Sequence, residues 1–80
     1  MRVPRDLSGA DLVKRLARFG YSVTRQTGSH MRLTSASGGE HHITLPNHDP
    51  LRMGTLAAIL AGVAAYQGLT RDELMRRLFE

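Results

Sequence analysis

The chain has 80 residues, 41% of them apolar and 22% charged, with a formal net charge of +4, which predicts one small globular domain over residues 1–80 and excludes a disordered chain. There is no cysteine, so a disulfide framework and a thiolate metal site are excluded, and a reducing, cytoplasmic setting is the expectation. No apolar run approaches the ~18 residues of a membrane span, and the opening MRVPRDLSGADL lacks the apolar core of a secretory signal.

Residues 1–7 read as a lead-in containing Pro4. Ser8 has the chemistry of a helix N-cap, with Asp11 three residues on to complete a capping box. Leu12, Val13, Leu16, Ala17 and Phe19 then recur at helical spacing, with Lys14, Arg15 and Arg18 off that stripe. Gly20 ends the helix as a C′ glycine. YSVTRQ follows as a strand, with Tyr21 and Val23 inward and Ser22, Thr24 and Gln26 outward. Arg25 falls on the inward parity and is expected to snorkel from the strand end. Thr27-Gly28 is the predicted turn.

HMRLTS is the second strand, with Met31 and Leu33 on one face and His30, Arg32 and Thr34 on the other. SASGGE is a hairpin loop. HHITLP is the third strand, with Ile43 and Leu45 inward, His42 and Thr44 outward, and Pro46 as its stop. NHDPLRMG is irregular. TLAAILAGVAAYQ predicts an Ala-rich helix ended by Gly68, and Thr70 with Glu73 caps a last short helix, RDELMRRL.

The order is α-β-β-β-α with a further C-terminal helix. Three strands on short loops form an antiparallel meander, and helices must cover its apolar face. The fold class is therefore α+β. The predicted outward set is Ser22, Thr24, Gln26, His30, Arg32, Thr34, His42 and Thr44, all polar.

Charge is unevenly distributed. Residues 1–32 hold seven Lys/Arg (Arg2, Arg5, Lys14, Arg15, Arg18, Arg25, Arg32) against Asp6 and Asp11, a balance of +5. The rest of the chain sums to −1. Such an excess suits a polyanion such as nucleic acid; it is equally compatible with a soluble basic surface.

Four histidines are the candidate chemical groups. His41 and His42 are consecutive on a strand and face opposite ways, and no His-x-x-x-His pair exists, so no metal and no other cofactor is expected. His30 opens the second strand after a glycine, on the polar side, with Arg32 two residues along. An imidazole titrating near neutrality can remove the proton of a ribose 2′-OH, and Arg32 can hold the attacked phosphate. A surface histidine at a strand start is the plainer reading of that tripeptide taken alone. His42 lies about 13 Å from His30 at ~3.3 Å per residue, too far to share a phosphate. His48 returns toward His30 after Pro46 and is the better auxiliary candidate, or a turn cap in PNHDP. Gly54-Thr55 opens a helix where backbone amides can take a phosphate, with Arg52 just before it; an ordinary helix cap is the alternative.

FGYSVTRQTGSHMRL followed by HHITLPNHDPLRMGTLAAIL resembles the HicA toxins, the mRNA interferases of HicA–HicB toxin–antitoxin pairs, from about Ala10 to Leu60. The specific signal is an ordered set: Gly28-Ser29-His30, then Leu45-Pro46 and His48, then Gly54-Thr55-Leu56. The resemblance implies a double-stranded-RNA-binding-domain-like fold and a ribonuclease that blocks translation. It also implies His30 as the catalytic residue and a HicB-type antitoxin as partner. Gly28, Ser29, Arg25, Arg32, His48 and Arg52 are the RNA-binding set read with it. The chain departs from the family in its last helix, LTRDELMRRLFE, and in having Lys14 as its only lysine. One alternative keeps the fold without catalysis, as an RNA-binding module; a reader of duplex RNA usually opens its last helix with lysines, and MGTLAAIL has none. Another is a protein-interaction domain.

Overall fold

The computed structural model describes residues 5–35 and 40–79. Pro4 and most of the SASGGE loop lie outside them. The elements run α1 (Gly9–Leu16), a 3₁₀ turn (Ala17–Phe19), β1 (Tyr21–Thr27), β2 (His30–Ser35), β3 (His41–Pro46), α2 (Met53–Gln67) and α3 (Arg71–Phe79). The three strands form one antiparallel sheet in the order β1-β2-β3. This is the α+β, α-β-β-β-α arrangement with an added terminal helix.

Local chemistry sets the helix ends. The Ser8 Oγ accepts from the Asp11 amide at 3.0 Å while the Asp11 carboxylate accepts from the Ser8 amide, closing a capping box on α1. The helix tightens into the 3₁₀ turn and stops at Gly20, whose φ of 82° is left-handed. Gly68 ends α2 in the same conformation, and Thr70 with Glu73 makes the reciprocal box of α3.

The core lies between the inner sheet face and the helices. Leu12 and Leu16 of α1, Leu33 and Leu45 of the sheet, and Leu56, Leu60 and Val63 of α2 are fully buried. On α2 the buried positions 56, 59, 60, 63 and 64 form one stripe, and small residues such as Ala58, Ala61 and Gly62 occupy exposed positions. Leu7, the last residue of the expected lead-in, is buried as well and packed in place, its carbonyl accepting from the Leu51 amide.

The terminal helix is part of the core. Leu74, Met75 and Leu78 are at most 1% exposed. The α3 C-terminal carbonyls are held by α1 and the 3₁₀ turn: Arg15 donates to the Leu78 carbonyl at 2.8 Å, and Arg18 donates to the Arg77 and Leu78 carbonyls. Cations at a helix C-terminus complement its dipole. Arg15 also lies over the Phe79 ring, 5.0 Å from its centroid. Two of the basic residues of the first 32 are thus engaged within the fold.

His41 belongs to the covered side. Its ring stacks on Tyr66 with centroids 4.4 Å apart and meets Tyr21 edge-on. The Tyr21 hydroxyl and His41 Nδ1 are hydrogen-bonded. Burial pushes the Tyr21 phenol above its ordinary pKa, so it remains protonated and able to donate. Ser35, a buried polar residue, donates to the Phe19 carbonyl.

Three sequence expectations change. The sharp turn is Gly28-Ser29 rather than Thr27-Gly28, because Thr27 pairs with His30 and extends β1 by one residue. A β-bulge interrupts the register between Val23 and Arg25. Beyond it the parity inverts: Arg25 pairs with Arg32, Thr27 with His30, and Gln26 with Met31. Arg25 and Thr27 therefore join the outward face and Gln26 leaves it. Val23 keeps inward parity opposite Leu33 but is 41% exposed, since β1 is an edge strand.

Candidate active site

Gly28 has φ of 57° and precedes Ser29 in a two-residue hairpin connection. A positive φ at the first of the two central residues is the pattern of a type II′ turn, and it selects glycine there. The turn delivers His30 to the first position of β2, fully outward and exposed. Among the described residues the His30 ring makes no hydrogen bond or ion pair.

The end of β3 is brought against this turn from the other side. His30 pairs with Pro46, and the Asn47 amide donates to the Ser29 carbonyl at 2.6 Å, carrying the contact one step past the strands. The His48 carbonyl accepts from the Gly9 amide at 2.9 Å, tying the loop to the start of α1. Gly9 is required by space: a Cβ there would lie 2.5 Å from the Pro46 carbonyl oxygen and 3.2 Å from the Asn47 Cα. His48 lies in the loop two residues beyond Pro46, the partner of His30. It too is exposed. Gly28, Ser29, His30 and His48 are therefore gathered at one end of the sheet.

The next row along the outward face is Arg25, Arg32 and Thr44, all exposed. The row beyond is already satisfied. The Thr24 and Thr34 hydroxyls are 2.9 Å apart, the Thr34 hydroxyl is 2.8 Å from His42 Nδ1, and His42 Nε2 is 2.6 Å from Glu40. His42 is thereby separated from His30 by position and by partners, as their spacing requires.

Arg52 stands apart from the strand rows. It is the N-cap of α2, with no side-chain hydrogen bond to the first turn and no acidic residue in that turn. The amides that the Gly54-Thr55 pattern points to are therefore without a side-chain cap. Residues that sequence reasoning missed are Thr27, placed outward by the bulge, and Gly9 and Asn47, which position the loop. A small residue directly after an N-cap serine was the one available signal for Gly9.

Among the described residues no group of three or more His, Asp or Glu is placed to hold a metal ion. No single helix among them is long and apolar enough to cross a membrane.

The arrangement is that of a small α+β domain presenting an imidazole and arginines on an open sheet face. The family description "HicA toxin of bacterial toxin-antitoxin" matches residues 9–63, well over half the chain. The chain belongs to the HicA toxin family, the toxin half of bacterial toxin–antitoxin pairs. No curated protein and no solved structure matches it.

Proposed function

We propose that this toxin is an endoribonuclease that cleaves mRNA with His30 as its catalytic histidine, without a metal, and that a HicB-type antitoxin neutralises it. The observation that carries the reading is His30 itself. In a HicA chain, it is an exposed imidazole without partners among the described residues, opening a strand on a polar face that bears two arginines.

The chemistry requires little more. His30 takes the proton of a ribose 2′-OH, and the resulting oxygen attacks the adjacent phosphorus. The P–O5′ bond breaks, the 5′-oxygen leaves with a proton taken from water, and the other fragment ends in a 2′,3′-cyclic phosphate. The nucleophile belongs to the substrate, so neither a covalent enzyme intermediate nor a metal-generated hydroxide is needed. The exposed arginines of the same face supply positive charge that draws in the RNA backbone. His48, in the loop that follows β3 at the same end of the sheet, is the auxiliary candidate.

The test compares induction of the wild type and of His30→Ala, following growth and transcript integrity, with the purified proteins assayed on RNA. Wild type arrests growth and fragments mRNA; the variant folds and does neither. Undiminished cleavage by a folded His30→Ala protein overturns the mechanism, and a wild type that binds RNA without cleaving it leaves an RNA-binding module.

A further inference from the structure

The bulge between Val23 and Arg25 creates an arrangement that strand parity alone does not produce. It sets Arg25 directly opposite Arg32 on the outward face, one row from His30. Both arginines are exposed. Like charges directly across a strand pair repel. No Asp or Glu occurs in Tyr21–Thr27, His30–Ser35 or His41–Pro46, so no carboxylate of the sheet relieves the pair. An external anion does so, and two guanidinium forks suit the oxygens of a phosphate.

The spacing specifies which phosphate. Arg32 and His30 are two residues apart on one strand, about 7 Å along it, comparable with one nucleotide step of an extended RNA strand. The row beyond is closed by the Thr24–Thr34–His42 hydrogen bonds, and the Glu40 carboxylate at its end repels a further phosphate.

We infer that Arg25 and Arg32 form a phosphate subsite one nucleotide from the bond that His30 cleaves, so that the substrate is an RNA segment carrying one phosphate beside the scissile one. This deepens the proposed function and rests on its reading of His30. The subsite takes a single flanking phosphate on that side, because the face ends at His42.

The experiment uses the full chain and three probes: a dinucleoside monophosphate, the same with an added 5′-phosphate, and the same with an added 3′-phosphate. The readout is the ratio of cleavage rates, phosphorylated over unphosphorylated. For wild type one of the two additions raises the rate about tenfold or more, the scale of a charge-assisted contact. Arg25→Gln and Arg32→Gln bring that ratio toward one, while His42→Gln retains it. A wild-type ratio of one for both additions overturns the subsite, and so does a ratio that survives both arginine substitutions. Affinities of the same probes for His30→Ala, alone and combined with Arg25→Gln, separate the two claims. If wild type cleaves nothing, the reading of His30 fails. A phosphate-dependent gain in affinity that Arg25→Gln removes still supports the subsite, and equal affinities overturn it.

Discussion

Histidine and arginine occur on both sides of this sheet, and the covered side and the His30 end of the open side use them in opposite ways. On the covered side His41 is stacked on Tyr66 and hydrogen-bonded to Tyr21, while Arg15 and Arg18 cap the carbonyls that end α3. On the open side His30 has no partner among the described residues, and Arg25 faces Arg32. The same side chains are structural where the protein supplies their partners and available for a ligand where it does not. Residue type alone does not locate a site. The test is whether the fold has already satisfied the group.

The largest expected effect tests the open side. His30→Ala lowers RNA cleavage by about 10²–10⁴-fold, the scale of a lost acid–base group, with its far-ultraviolet circular dichroism unchanged. His42→Ala, on the same face but bonded to Thr34 and Glu40, leaves cleavage unchanged; a loss as large as that of His30→Ala would erase the distinction between the two ends of the face. Its exposed pair with Glu40 contributes little to stability.

The covered side is tested through α3. Leu78→Ala costs about 2–5 kcal/mol, as expected for a fully buried leucine, and urea unfolding reads the loss as a lowered midpoint. An unchanged midpoint would mean that α3 is dispensable to the core. Gly9→Ala tests the point where the two sides meet. Its Cβ must displace the Pro46 and Asn47 backbone, at about 1–3 kcal/mol for an overpacked site. Because Asn47 holds the Ser29 carbonyl, cleavage falls more than stability alone accounts for, measured under conditions where the variant is fully folded.

The smallest effect is acid-dependent. Hydrogen bonds from Ser8, its side chain first, hold the Asp11 carboxyl below its ordinary pKa, and the Thr70 amide and hydroxyl do the same for Glu73. A depressed folded pKa contributes stability that is present above the unfolded value and is lost as pH falls through the folded one. Stability therefore declines below the usual carboxylate range. Asp11→Asn combined with Glu73→Gln flattens that decline in urea titrations across acid pH. Both groups are exposed and solvent-screened, so the change is small.

Much of this was legible in the sequence because it is local. Ser8 with Asp11, Thr70 with Glu73, and the left-handed glycines at 20 and 68 mark helix ends through contacts within a few residues. The strand bounds 30–35 and 41–46 follow from alternation and Pro46, and the opposite facing of His41 and His42 follows from the pleat. The position of His30 after a glycine turn, outward, was fixed by the same local rules. Tertiary structure decided what depends on distant partners. The bulge that turned Arg25 outward exists only in the pairing of β1 with β2, and no glycine within β1 marks it. The Gly9 contact with Pro46 and the docking of α3 by Arg15 and Arg18 join residues far apart in the chain. Short-range hydrogen bonds and dihedral preferences are written in neighbouring letters. Which arginine meets a carbonyl, and which meets another arginine, is settled only when the sheet and helices pack.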